Sequence, residues 1–169
     1  KNFWHQAGHI YPGQTERLAE LANICNPSML FTAVSPKTGW RLNTLLATTH
    51  IPLAKVVETL TPKLIESKLN TLFSFCKRFK DKPTLAISGL NPHSGEGGQL
   101  GKEEIQWLIP LIKKWQKNNP TIKIYGPIPP DTCWLTAAKA WEEKPNLNTP
   151  DGFIPTKEGG VTRNIGAVS

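Results

Sequence analysis

The sequence predicts an α/β fold, layered α/β/α around a mixed sheet. Three observations carry this. Short apolar runs alternate with stretches of helical period along most of the chain, the pattern that packs helices onto a sheet. Two of those runs, 28–34 and 42–49, flank Ser35-Pro-Lys-Thr-Gly39, a hairpin turn, so part of the sheet is antiparallel. A third run, 84–88, stops at a glycine-rich loop, and strand, glycine-rich loop, helix is how α/β proteins build ligand sites at strand ends.

The elements follow in order. Residues 1–12 are aromatic and histidine-rich without a clear period, and Pro12-Gly13 marks a turn. A helix begins at Gln14, with Thr15 as capping hydroxyl, Glu16 suited to the first turn, and Leu18, Leu21 and Ala22 recurring at helical spacing; Asn26-Pro27 ends it. The two hairpin strands follow, and the second runs out at His50. Leu53, Val56, Val57 and Leu60 give a short helix. Thr61-Pro62 starts another, with a hydroxyl cap and proline in the first turn. Ile65, Leu69, Leu72, Cys76 and Phe79 line one side of that helix.

Strand 84–88 leads into the loop 89–101. From Lys102 a helix runs to Asn119 with Ile105, Leu108, Ile109, Ile112 and Trp115 on its apolar face, and Pro110 predicts a kink. Residues 122–125 form a strand that Gly126-Pro127 ends. Asp131-Thr132 caps a helix reaching about Glu143, and 151–154 suit a last short strand. The final residues, poor in large apolar side chains, read as an ill-ordered tail.

A chain of 169 residues with 38% hydrophobic and 20% charged residues suits one soluble globular domain. It has no apolar run of membrane-spanning length and no signal peptide, and Lys1 is not an initiator methionine, so the chain reads as cut from something longer. Cys25, Cys76 and Cys133 form no CxxC pair. Three widely spaced cysteines without a leader point to reduced thiols in a cytoplasm, each acting as a small buried apolar group. The net charge of +7 invites a nucleic-acid reading. However, Lys77, Arg78, Lys80 and Lys82, like Lys113, Lys114 and Lys117, cluster near helix ends, and no aromatic–basic interleaving accompanies them. Solvated basic faces account for the charge, and neither nucleic acid nor membrane is an expected partner.

Chemistry concentrates at the strand ends. His50 and His93 each follow an apolar strand. If those strands are neighbours, both imidazoles emerge at one rim and can hold a divalent ion; the alternative is two hydrogen-bonded loop residues. Asp131, Glu96 or a residue of another subunit are candidates for a third ligand. Ser94-Gly-Glu-Gly-Gly98 can cradle a phosphate through its amides or serve as a plain structural turn. It is neither a P-loop nor a dinucleotide fingerprint. Gln14 and Thr15 sit at a helix start, where backbone donors attract a phosphate or carboxylate, or are simply capped. His5 and His9, spaced i, i+4 around Gly8, lack the helical context of a metal pair.

Gly-Leu-Asn-Pro-His-Ser-Gly-Glu-Gly-Gly (89–98), followed by Gly-Lys-Glu-Glu-Ile (101–105), resembles the 4-hydroxythreonine-4-phosphate dehydrogenase family of vitamin B6 biosynthesis. Tyr-Pro-Gly-Gln-Thr-Glu (11–16) resembles its substrate-binding helix start, Leu-Ala-Thr-Thr-His-Ile-Pro-Leu (46–53) its first metal segment, and Gly-Pro-Ile-Pro-Pro-Asp-Thr (126–132) a segment near its cofactor site. The resemblance covers about residues 2–153 in order. It implies an isocitrate-dehydrogenase-like fold, present here in part. It also implies NAD-dependent oxidation of the secondary alcohol of 4-phosphohydroxy-L-threonine, then decarboxylation to 3-amino-2-oxopropyl phosphate on the way to pyridoxal phosphate.

Position by position, the resemblance makes His50 and His93 two of three metal-binding histidines, for zinc, magnesium or cobalt. Thr15 matches a substrate-contacting threonine, and Gln14 stands where many members have a substrate-contacting histidine. Asn91, Gly95, Gly97, Gly98 and Asp131 are the candidate contacts for NAD. The family is a cytoplasmic homodimer with its sites between subunits.

Two departures stand out. After residues 151–153 the family continues with Tyr-His-Asp-Gln-Gly, which carries the third histidine; here Ile154-Pro-Thr-Lys follows. The family's later lysine, asparagine and arginine for the substrate phosphate have no match, nor has its N-terminal glycine- and proline-rich motif. The sequence thus reads as a central α/β domain, 1–153, with a divergent tail, 154–169. The rival reading is a truncated, catalytically inactive α/β fragment that binds metal or phosphate.

Overall fold

The computed structural model describes residues 2–143 and, further on, the backbone of three short strands, Ile154–Pro155, Val161–Thr162 and Gly166–Val168. Helices α1 (Asn2–Gln6) and α2 (Gln14–Leu21) precede an antiparallel hairpin of β1 (Leu30–Val34) and β2 (Arg41–Leu45). Then come α3 (Leu53–Thr59), α4 (Pro62–Cys76), β3 (Thr84–Ser88), the loop that holds His93, a helical run to Asn118, β4 (Lys123–Ile128) and α6 (Leu135–Glu142). The run before β4 is a turn of π-helix, Glu104–Leu108, continuing into α5, Ile109–Asn118. The tail contributes β5 (Ile154–Pro155), β6 (Val161–Thr162) and β7 (Gly166–Val168).

The five-stranded sheet has the order β1-β2-β7-β3-β4. β2, β7, β3 and β4 run parallel and β1 antiparallel, which is the expected mixed sheet. β2 and β3 are not neighbours, because β7 lies between them. The reading of 154–169 as an ill-ordered tail falls mostly outside the described residues; 166–168 within it are this strand. Of the expected strand 151–154, the first three residues likewise lie outside the description.

Every residue of β3 is buried, so both of its faces are covered, as a layered α/β architecture requires. Leu45, Leu85, Ala86 and Ile87 of the sheet pack with Ile65, Leu69 and Leu72 of α4 and with Leu108, Ile112 and Trp115 of the following helix. Trp115 stands edge-on to Phe73, centroids 5.9 Å apart, and donates Nε1–H to Asn70 Oδ1 at 2.8 Å. A buried indole needs such an acceptor.

The α4 start is the one the sequence predicts: Thr61 Oγ1 accepts from the Leu64 amide at 3.2 Å and Pro62 takes the first turn. Thr15 does not cap α2. Gly13 holds that position without a side-chain hydrogen bond, and Thr15 lies inside the helix. α1 is a helix where no period was legible, and α6 begins at Leu135, later than Asp131-Thr132 suggests. β4 runs on through Gly126-Pro127, whose peptide is cis, instead of ending there.

Pro110 falls in the first turn of α5, and the π-turn before it supplies the irregularity expected there. The apolar stripe is set by Leu108, Leu111, Ile112 and Trp115; Ile105 is exposed, and Glu104 is fully buried in its place. Leu18, Leu21, Leu53, Val57 and Phe79, expected to face the core, are exposed instead. Periodicity marks a helix's apolar side, but only the tertiary arrangement decides whether anything covers it. All three cysteines are free; Cys25 is exposed, not buried. Among the described residues no helix is long and apolar enough to cross a membrane.

Candidate functional site

Parallel β2, β3 and β4 deliver their following loops to one edge of the sheet, the carboxyl edge. His50 lies beyond β2, the loop with Asn91 and His93 beyond β3, and Asp131 beyond β4. A cavity of about 270 Å³ opens there, with Thr48, Ser88, Asn91 and Glu103 among its polar lining and Leu60 and Trp107 among its apolar lining.

His50 adopts φ +57° and places its ring against the start of α2. Its Nδ1 lies 3.0 Å from Glu16 Oε1. A carboxylate only accepts, so the shared hydrogen belongs to Nδ1, and Nε2 is the ring nitrogen that Glu16 does not engage. The ring sits so close to Gly13 that a Cβ there would come within 2.8 Å of His50 Cε1. This joins His50 to Gln14, exposed at the first position of α2, and to half-buried Thr15. The sequence separates these groups by more than thirty residues.

The loop after β3 winds in the left-handed sense. His93, Ser94, Gly95, Glu96 and Gly97 have φ of 52°, 52°, 78°, 44° and 65°. Left-handed turns cost about 1–2 kcal/mol per non-glycine residue, so His93, Ser94 and Glu96 together store roughly 3–6 kcal/mol. Glu104 offsets that strain. Its Oε1 accepts from the Leu90 and Asn91 amides at 2.8 and 2.7 Å, and its Oε2 accepts from Asn91 Nδ2 at 2.9 Å. The same Nδ2 donates to Glu103 Oε2 at 2.8 Å.

Burial alone would push the Glu104 carboxyl up. Hydrogen bonds from the Asn91 side chain and from the Asn91, Glu104 and Leu90 amides outweigh burial and hold it below the ordinary carboxylate range. Gly95 packs on this group: a Cβ there would lie 2.7 Å from Glu104 Oε2 and 2.8 Å from the Gly101 carbonyl. Ser94 Oγ donates to the Pro127 carbonyl at 3.2 Å, tying the loop to β4.

The predicted residues thus divide. Gln14, Thr15 and His50 form one cluster. Asn91, His93 and Gly95 belong to the other, where Asn91 is engaged with Glu103 and Glu104 and Gly95 with Glu104. Gly97 faces open space, and a Cβ on Gly98 would meet the Ile105 side chain. Glu96 and Asp131 are exposed.

With β7 intervening, the axes of β2 and β3 lie about 10 Å apart, so neighbouring strands do not bring His50 and His93 together. Imidazole is the right donor for a divalent ion. The number is short: among the described residues no group of three or more His, Cys, Asp or Glu comes together to hold one. His5 Nε2 lies 3.5 Å from the Tyr11 carbonyl, away from any such group.

Sequence reasoning missed Glu16 and Glu104 as site builders, taking both as helix-start acids. For Glu104 a signal existed. It occupies a position on the stripe of Leu108, Leu111 and Trp115, where a charge signals a buried partner.

A mixed α/β sheet with polar and histidine-bearing loops gathered at its carboxyl edge is the architecture of a small-molecule site at strand ends. The family model of "Pyridoxal phosphate biosynthetic protein PdxA" matches residues 1–144, and the chain belongs to that family. It is 53% identical over 155 residues to a 4-hydroxythreonine-4-phosphate dehydrogenase of Synechococcus sp. (strain RCC307), covering 91% of this chain and 47% of that protein. It is 38% identical over 160 residues to a D-threonate 4-phosphate dehydrogenase of Pectobacterium atrosepticum, covering 93% and 46%. The crystal structure of 4-hydroxythreonine-4-phosphate dehydrogenase from Klebsiella pneumoniae matches with a TM-score of 0.68 at 33% identity, over 80% of this chain and 39% of that one. The chain spans about half the length of the curated relatives it matches.

Proposed function

We propose that this chain carries part of a NAD-dependent dehydrogenase that oxidises the secondary alcohol of 4-phosphohydroxy-L-threonine, the keto acid then losing carbon dioxide. The observation that carries this is the coincidence of family and geometry. The segments that resemble the family's substrate and metal segments, around Gln14-Thr15 and His50, come together through the Glu16–His50 contact. In this reading the open first-turn amides of α2, with Gln14 and Thr15, take a phosphate or carboxylate of the substrate. Glu16 fixes the His50 ring so that Nε2 faces the ligand. The left-handed loop presents His93 at the same edge, and its amides, with Asp131 beyond β4, face NAD. Bound NAD supplies the hydride acceptor.

A divalent ion on His50 and His93 needs further donors from outside the described residues. Cytoplasmic placement and assembly as a homodimer belong to the same proposal. The relative named for D-threonate 4-phosphate offers a second substrate of like chemistry, a phosphorylated four-carbon hydroxy acid without the amine.

The test follows NADH formation by this chain with 4-phosphohydroxy-L-threonine, with D-threonate 4-phosphate, and with each omitted. NADH production with the amino substrate, lost in His50→Ala, is the expected result. Turnover of D-threonate 4-phosphate alone would replace the substrate assignment. Absence of turnover with either would overturn the proposal for this chain and favour the inactive fragment.

A further inference from the structure

We propose that Glu104 is the positioning residue of the site: its buried carboxylate holds the left-handed turn and thereby fixes where His93 stands. The observations are independent of one another. Glu104 is wholly buried, yet no cation pairs with it among the described residues; only N–H donors do, from Leu90 and Asn91 of the loop and from its own amide. A carboxylate in such a place is retained only where its donors are worth its desolvation. Two of those donors are the backbone amides of Leu90 and Asn91, two to three residues before the left-handed turn that begins at His93. Gly95, inside the turn, leaves room for the carboxylate and for nothing larger than hydrogen. One side chain therefore hydrogen-bonds the loop at its entry and packs beside Gly95 at its midpoint, and His93 lies between those two points.

Local forces do not settle this geometry by themselves: the Ser94 amide donates to the Asn91 carbonyl at 3.0 Å and Gly95 and Gly97 adopt positive φ freely, but His93, Ser94 and Glu96 do not. Ser94 and Glu96 are ordinary L-residues at φ 52° and 44°, and left to themselves they return to φ < 0. Such a return would redirect the Cα–Cβ bond of His93. Glu104 itself is set by the π-turn, Glu104–Leu108, which begins the helix at this residue and packs Leu108 into the core. The grip on the loop is thus anchored in the core. This inference rests on the proposed function only for what His93 binds; the hold on the loop stands without it.

The test compares the full chain with its Glu104→Ala, Glu104→Gln and Glu104→Asp variants. Glutamine keeps Oε1 for both backbone amides but gives up the Asn91 Nδ2 bond, because turning the Asn91 amide over would set its Oδ1 against the Glu103 carboxylate. Aspartate keeps the charge but is one methylene too short to reach. Amide exchange is measured peptide by peptide. In the alanine and aspartate variants, exchange across 89–101 is expected to rise about ten- to a hundredfold, the scale of losing one or two buried hydrogen bonds, with 84–88 and 109–118 unchanged. The glutamine variant, which keeps the two backbone-amide bonds, should retain clearly more protection than the alanine and aspartate variants.

The second readout is the His93 ring resonances, with cobalt(II) added as a probe of the imidazole's placement. The ring signals should shift and broaden in the alanine and aspartate variants. Cobalt affinity should fall about tenfold or more, as when the support of a ligating histidine is lost. If the wild-type chain takes up no cobalt, the metal reading fails by itself, and exchange and ring signals still decide the role of Glu104. Should the alanine variant not fold, aspartate against glutamine carries the comparison. Wild-type exchange in the aspartate variant, or a loosened loop with unmoved His93 signals, overturns the proposal.

Discussion

Gly95→Ala and Gly97→Ala form a pair that separates backbone strain from contact. Both residues are left-handed, at φ +78° and +65°. Alanine in that region costs about 1–2 kcal/mol wherever it stands. At Gly97 nothing lies within 4 Å of the added methyl, so that cost is the whole effect. At Gly95 the methyl would sit 2.7 Å from Glu104 Oε2 and 2.8 Å from the Gly101 carbonyl. Neither neighbour is a free side-chain end: one is backbone, the other is held by three hydrogen bonds. Displacing Glu104 exposes its donors to loss, about 1–3 kcal/mol for buried groups, so Gly95→Ala should cost roughly 2–5 kcal/mol. With a urea slope of about 2 kcal/mol per molar, the Gly95 variant should unfold about 1–2.5 M earlier than wild type and the Gly97 variant about 0.5–1 M earlier. Urea titration followed by tryptophan fluorescence reads both midpoints, and the slope should not change. Equal shifts for the two variants would refute the packing argument, and so would a neutral Gly95→Ala.

The core and its charge give two further expectations. Trp115→Ala removes a side chain that is 1% exposed and should cost about 3–5 kcal/mol in the same titration; Trp115→Phe keeps most of the volume and loses only the bond to Asn70 Oδ1, which is exposed and passes to water, so it should cost about 1 kcal/mol. Acidification should act through Glu104. Its folded carboxyl lies below its unfolded value despite burial, so the stabilisation it provides is present above the unfolded value of about 4.3 and is lost as pH falls through the lower folded one. Stability measured from neutral pH downward should therefore drop more steeply in wild type than in Glu104→Gln; parallel curves would show that Glu104 does not carry the acid sensitivity.

Much of the site's address was legible. β3 could be read as a buried strand, and the loop after it as glycine-rich, because a continuous apolar run and a cluster of glycines are local signals. His50 and His93 could be placed at strand ends for the same reason. Their geometry could not. The hold on the turn comes from Glu104, more than ten residues from Leu90 and Asn91; its place on the apolar stripe signals burial, but nothing in the sequence says which groups it holds. Glu16 is the same case: a first-turn glutamate by sequence, the fixing partner of His50 in space.

The sequence by itself determined the elements whose causes are local. Thr61-Pro62 starts α4 because a hydroxyl and a proline ring act within one turn. Ser35-Pro-Lys-Thr-Gly39 makes a hairpin because its backbone preferences do not depend on what lies beyond it. Tertiary structure alone decided which apolar faces are covered, why Leu18 and Val57 stay exposed while Leu72 and Trp115 do not, and that β7 stands between β2 and β3. It also decided that a charge at position 104 belongs inside. Burial and the worth of a buried carboxylate are properties of the surroundings, set by groups distant in sequence, and no period along the chain encodes them.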